Sequence, residues 1–374
     1  MVYEMGRKFS FIILIIIGHS LIIARADTIP SFHTGFQAHY GFIIPHSESI
    51  EPVSHTNPYM FELGLNKLHT SYNRWQVFNA YWIAGIQAGY LNFQNPDVLG
   101  SAFELTFFAE PLITHRRNFM FSIRGGTGIS YHTKYYDKLE NPLNQFFSTR
   151  FAFPLFISGR FKYRLAGRTY ITLAGCYNHI SNGGFKQPNK GMNFPTLALG
   201  LEHFHSGVPE MNHNYVSELV VPKPGIAILI QVISAVKILE ETEVYPEERE
   251  FIYGFHLRVS KQLKTWYSLN LGSELVIDGY IRETIKREKS GLDHKRLALT
   301  VGQDFLLGKV VFSQHLGFYV YSPYKARNPV YQKYELAYKF TPHLLAGVYL
   351  KAHLHVAEMI GISLSYSINS VSPK

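Results

Sequence analysis

FMFSIRGGTGISY, from Phe119 to Tyr131, decides the class of fold. Taken every second residue, it puts Phe119, Phe121, Ile123, Gly125, Thr127, Ile129 and Tyr131 on one side. Met120, Ser122, Arg124, Gly126, Gly128 and Ser130 fall on the other. Successive side chains of a strand point to opposite faces, so one face is apolar and the other small, polar or charged. That is the pattern of a strand with lipid outside and water inside. Upstream, Phe103, Leu105, Phe107 and Ala109 alternate with Ala102, Glu104, Thr106, Phe108 and Glu110; near the C-terminus, Ile360, Ile362, Leu364, Tyr366 and Ile368 alternate with Gly361, Ser363, Ser365 and Ser367. A soluble sandwich alternates too, but these segments run to roughly 10–13 residues, the length of a tilted membrane strand.

The connections support the same class. Tight ones at Ile113–Asn118, Leu165–Arg168, Lys261–Lys264, Leu306–Lys309 and Phe340–His343 alternate with long ones at Pro45–Pro58, His132–Phe147, 181–192, Leu239–Arg249 and Asp278–Lys295. Short turns on one rim and long loops on the other are the habit of outer-membrane barrels. Composition agrees: 25 Tyr, 28 Phe and 29 Gly accompany only 17% charged residues, as girdle aromatics and sheet curvature require. The expected fold is therefore all-β, one antiparallel transmembrane barrel of about 16 strands, with 12 or 14 as alternatives. About eight strands fall on each side of Ser206. The Pro-containing stretch Ser206–Pro224 is read as the one long connection on the short-turn side, between two halves of a single ring.

The N-terminus has a separate reading. Arg7 and Lys8, the apolar run Phe9–Ile23 and the small-x-small Ala24-Arg25-Ala26 describe a secretory signal peptide, residues 1–26, removed after Ala26. The barrel then occupies 27–374. The single cysteine, Cys176, allows no internal disulfide and falls on an inward face. The net charge of +9 fits contact with anionic lipid rather than nucleic acid.

Chemistry concentrates at HISNGGFKQPNKGMNF, His179–Phe194. Thr169, Ile171, Leu173, Gly175, Tyr177, His179 and Ser181 share the lipid-facing side of one strand, so His179 and Ser181 lie side by side at its outer edge. On the next strand Asn193 shares the apolar face with Pro195, Leu197, Leu199 and Leu201, and so comes down beside His179 across the rim loop. A serine within reach of a histidine whose tautomer is held by a third group can attack an ester. The Asn182-Gly183-Gly184 turn can aim backbone N–H groups at an oxyanion. Spacing alone equally allows His179 and Ser181 to mark where the strand meets the headgroups. His203 with His205, and His353 with His355, read as rim histidines rather than metal ligands, and the acidic run 240–250 as a solvated loop.

The segment His179–Gly191 resembles the active-site segment of the lipid A 3-O-deacylase (PagL) family, H-x-S-N-x-G-x-K-Q-P-N-x-G. It is also similar to that of the larger acyloxyacyl hydrolase barrels. The PagL-like part spans about 32–205, with additional strands over about 215–370. The resemblance implies a cofactor-free, metal-free esterase in the outer membrane of a Gram-negative bacterium, removing an ester-linked acyl chain from lipid A of lipopolysaccharide in the outer leaflet. It implies Ser181 as nucleophile and His179 as base, with Asn182, Gly184 and Asn189 for oxyanion or substrate binding. Where the small deacylases carry the third-member glutamate this chain has Asn193, which can orient the imidazole but brings no charge; Asp137 and Glu140 are the alternatives, Glu202 being on the lumen face. The rival from another class is a porin-like or structural barrel with a water-filled lumen. A homodimer is compatible with either.

Overall fold

Each alternating segment forms a strand whose predominantly apolar face is turned outward, with a few apolar residues such as Phe108 and Met120 buried inside. The computed structural model describes residues 31–116, 118–183, 186–209, 211, 225–239, 242–324, 326, 328–354 and 356–369. The expected signal peptide lies outside them, as do Gly184 and His355. Among the described residues there are sixteen strands, all paired antiparallel to their neighbours. The first eight are β1 (Ser31–Gly41), β2 (Tyr59–His69), β3 (Trp82–Asn95), β4 (Gly100–Arg116), β5 (Phe119–His132), β6 (Phe151–Ala166), β7 (Thr169–Ser181) and β8 (Met192–Phe204). The second eight are β9 (Ile226–Leu239), β10 (Glu248–Lys264), β11 (Tyr267–Asp278), β12 (Lys295–Leu307), β13 (Val310–Tyr321), β14 (Val330–Lys339), β15 (Leu344–His353) and β16 (Val356–Asn369).

The strand total matches the expectation; the single ring does not. β8 turns back onto β1, from His33↔Phe204 to Gly41↔Thr196, and β16 closes onto β9, from Gly361↔Ala235 to Asn369↔Ala227. The chain makes two closed eight-stranded barrels. An open edge has no water to satisfy it in hydrocarbon, so each half seals its own. The hairpin rhythm is identical for one ring or two, which is why the sequence pattern leaves closure open.

Ring size bears on the water-filled lumen of the porin-like rival. Eight strands leave a bore only wide enough for side chains. In the first ring Glu110, Arg124, Arg160, Lys162 and Glu202 fill it, none more than 1% exposed. Lys162 Nζ bridges Glu110 at 2.6 Å and Glu202 at 2.8 Å, and Arg124 reaches Glu110 at 2.6 Å. In the second, Glu274 receives Lys333 at 2.6 Å, Lys351 at 3.1 Å and the Tyr331 hydroxyl at 2.8 Å. Outside, both rings are apolar: Leu63, Leu65, Leu173 and Leu199 on one, Ile228, Val232, Leu257 and Leu271 on the other, all exposed.

Three connections depart from the reading. β10 runs through the expected turn at Lys261–Lys264, and the chain reverses at Thr265–Trp266. The stretch between His69 and Trp82 is a second long connection on the short-turn side, holding the helical turn Tyr72–Trp75. The supposed loop 278–295 contains the helix Gly279–Glu288, capped by Asp278, whose side chain accepts the Ile281 N–H at 3.0 Å; Ile281 and Ile285 bury one face. The rings meet at the short-turn ends, where the Lys309 N–H donates to the Val77 carbonyl at 2.9 Å.

Candidate active site at the outer rim

β7 and β8 set the site. In their ladder His179 pairs directly with Asn193, and Tyr177 with Pro195. All four, with Ser181, are on the lipid-facing side, because the intervening Asn178, Ile180 and Phe194 are buried inward. Asn193 Oδ1 lies 2.7 Å from His179 Nδ1. A carbonyl oxygen can only accept, so Nδ1 carries the hydrogen and Nε2 is left as the basic nitrogen. Ser181 sits two residues beyond His179 on the same face, and its Oγ accepts the Gly183 N–H at 3.4 Å.

The rim loop is tied down from three sides. Asn182, 1% exposed, donates its amide to the Lys186 carbonyl at 2.7 Å and to Ser148 Oγ at 3.2 Å. Ser148 Oγ also donates to the Lys186 carbonyl, at 2.8 Å. Asn189 Oδ1 accepts the Asn182 N–H at 3.1 Å. Farther along, Lys190 and Gly191 donate their N–H groups to the carbonyls of Gln145 and Phe146, at 3.1 and 2.9 Å. From the β1–β2 connection, His46 Nε2 donates to the Lys190 carbonyl at 2.9 Å and the Ile44 N–H to the Asn193 carbonyl at 2.8 Å. Gly191 has φ +69°, and a Cβ there would stand 2.8 Å from His179 Cε1. Glycine at 191 is thus what lets the imidazole lie where it does.

Residues 59–202 match the family model described as lipid A 3-O-deacylase (PagL), and residues 227–370 match that of the acyloxyacyl hydrolase C-terminal domain. Each half of the chain is thus similar to a PagL-related family model. The first match runs from β2 into β8 and the second spans β9–β16, so each falls within one ring. Among solved structures, the outer membrane enzyme PagL is 19% identical, with 44% of this chain and 97% of that one covered and a TM-score of 0.32. A mutant Rh. blastica porin is 7% identical over 91% of this chain and 100% of its own, with a TM-score of 0.20. No curated protein matches.

In this PagL-like barrel the structure brings His179, Ser181 and Asn193 together on one wall, and Asn182, Gly183 and Asn189 into the loop above. Of the alternative third members, Asp137 is engaged with its own loop. Asp137 Oδ1 accepts the Leu139 and Glu140 N–H groups at 2.9 and 3.0 Å, and those backbone donors hold its carboxyl below the usual range. Glu202 is inside the lumen with Lys162 and Arg160. His203 Nδ1 is 3.0 Å from the Thr169 hydroxyl, and His353 Nε2 is 3.1 Å from Glu358. The anchors Ser148, Phe146, Gln145, Ile44 and His46 were not singled out from sequence. Their partners lie some tens of residues away or more, and three act through backbone groups, which leave no trace in residue type.

Proposed function

We propose that this PagL-like barrel is an esterase that removes an ester-linked acyl chain from lipid A within the outer leaflet. The observation that carries it is the 2.7 Å contact between His179 Nδ1 and Asn193 Oδ1 on the lipid-facing wall, with Ser181 beside it. A polar trio facing hydrocarbon is costly and is kept for use. His179 Nε2 takes the proton of Ser181 as its oxygen attacks the ester carbonyl, and returns it to the leaving sugar alkoxide; water then cleaves the acyl-enzyme by the same route. Asn182, with its amide already engaged, holds the loop. The Gly183 N–H and the Asn189 amide, whose oxygen is committed to Asn182, are the donors for the oxyanion. The filled bores of both rings speak against the porin-like rival.

Mass analysis of lipid A from cells expressing the protein should show loss of one acyl chain. Ser181→Ala and His179→Ala should each abolish it, with little added loss in the double variant. Deacylation by Ser181→Ala at the unaltered rate would sink the assignment.

A further inference from the structure

Charge is divided between the two rims of this chain. Among the described residues every exposed carboxylate, from Glu48 and Asp97 to Glu243 and Glu288, lies on the long-loop rims. Toward the short turns the carboxylates that occur, Glu110, Glu202 and Asp304, are buried inside the bores. The surface there carries Lys67, Arg116 and Arg168 from the first ring and Lys261, Lys264 and Lys309 from the second. Each ring begins and ends on this side, and the Lys309 N–H bond to the Val77 carbonyl joins the two here. The short turns of both rings thus make one cationic face.

Aromatic side chains fix the depth of these cations. Phe32, Tyr163, Trp266, Phe340 and Tyr366 are exposed on the outer wall within a few residues of the short turns, where a barrel's girdle meets the headgroups. Lys67 is the direct cross-strand partner of Phe32 and holds its Nζ 5.3 Å from the centre of that ring. Lys264 Nζ stands 5.6 Å from the centre of the Trp266 ring. Both ammonium groups are therefore at the edge of the hydrocarbon, with their stems along apolar surface. Turns that only needed solvation would mix both signs. The long loops of this chain do so, with Lys134 and Lys138 beside Asp137 and Glu140.

We propose that the short-turn face of the two rings is a docking surface for anionic phospholipid headgroups of the leaflet it borders, the inner one when short turns are periplasmic. A lipid is the occupant because the cations are continuous with the lipid-facing wall and two of them rest on its aromatics. A zwitterionic headgroup brings its own ammonium to the phosphate; a glycerol-linked phosphate does not, and so leaves its full charge to the protein. The attraction is Coulombic, summed over several cations and screened by salt. It is independent of the esterase reading, which concerns the opposite rim.

Trp266 reports on this face, because it is exposed there while Trp75 and Trp82 are buried. The full chain would be reconstituted in phosphatidylcholine vesicles doped with acyl-brominated phosphatidylglycerol or acyl-brominated phosphatidylcholine. Quenching of tryptophan fluorescence is then read against a Trp266→Phe background. The apparent affinity for phosphatidylglycerol should exceed that for phosphatidylcholine several-fold at low salt, and the excess should collapse near about 1 M salt. Glutamine at Lys67, Arg116, Arg168, Lys261 and Lys309 together, in protein checked for heat-modifiable migration, should remove the excess and leave the Lys264–Trp266 pair intact. Lys134→Gln with Lys138→Gln, on the opposite rim, should leave it unaltered. Equal affinity for the two lipids would overturn the proposal, and tight binding of soluble polyphosphate in that case would give the face to a soluble polyanion. An excess that survives the combined glutamine variant would likewise overturn it, placing the lipid preference elsewhere on the molecule.

Discussion

Asn193 separates two jobs that a carboxylate performs together. Its amide oxygen fixes the His179 tautomer at 2.7 Å but adds no charge to stabilise the imidazolium. In a serine protease triad an acid-to-amide change lowers kcat about 10⁴-fold because the tautomer goes wrong. Here the tautomer is right, so the deficit is electrostatic. Asn193→Ala should lower deacylation, while Asn193→Glu should preserve or raise it, by up to about 2–4 kcal/mol of transition-state stabilisation. Equal rates for all three in a lipid A assay would show that another group orients the base. Gly191 acts on the same ring sterically. Gly191→Ala should destabilise the loop by about 1–2 kcal/mol through its left-handed backbone. It should also displace the imidazole and reduce turnover about 10²-fold, because small misplacements of reacting groups are that costly. Thermal melts and lipid A assays on one preparation would separate the two effects.

At the scale of elements, the β7–β8 hairpin explains why much of the site was legible. Period-two alternation puts His179 and Ser181 on one face, and a short hairpin brings Asn193 opposite; both follow from local spacing. The clamp on the rim loop does not. Ser148 meets Lys186, and Ile44 meets Asn193, only because the β5–β6 and β1–β2 connections fold over the same rim. Ring closure was illegible for the same reason, since β8 pairs with β1 rather than β9 through contacts that no local pattern encodes. The clamp carries its own expectation. Asn182→Ala strips a buried amide from Ser148 and the Lys186 carbonyl, and should destabilise the loop by roughly 1–3 kcal/mol. Protease nicking within 183–190 should rise while the strands stay protected, as limited proteolysis would report. An unchanged nicking rate would mean the backbone bonds from Lys190 and Gly191 suffice.

For the molecule as a whole, two filled rings behave unlike one wide ring. Planar bilayers containing the purified protein should stay silent with or without Ser181, because Lys162 and Lys333 sit at the centres of closed ion-pair networks. Steady conductance would contradict those packed bores. A protease site inserted between 210 and 224 should yield two fragments that each migrate as heat-modifiable barrels. A sixteen-stranded ring cut there would stay one folded species, still laced through paired strands.

The placement of Ser181 and His179 on the outside of the wall has a kinetic consequence. On the esterase proposal, the substrate reaches them by sliding in the plane of the leaflet, so encounters depend on its surface density and hardly on bulk concentration. Diluting lipid A with an inert lipid at fixed total substrate should therefore slow turnover in proportion to its mole fraction. Adding more vesicles of unchanged composition should leave the turnover per embedded molecule as it was. A site opening into the bore would read the aqueous phase; this one takes a census of its own leaflet.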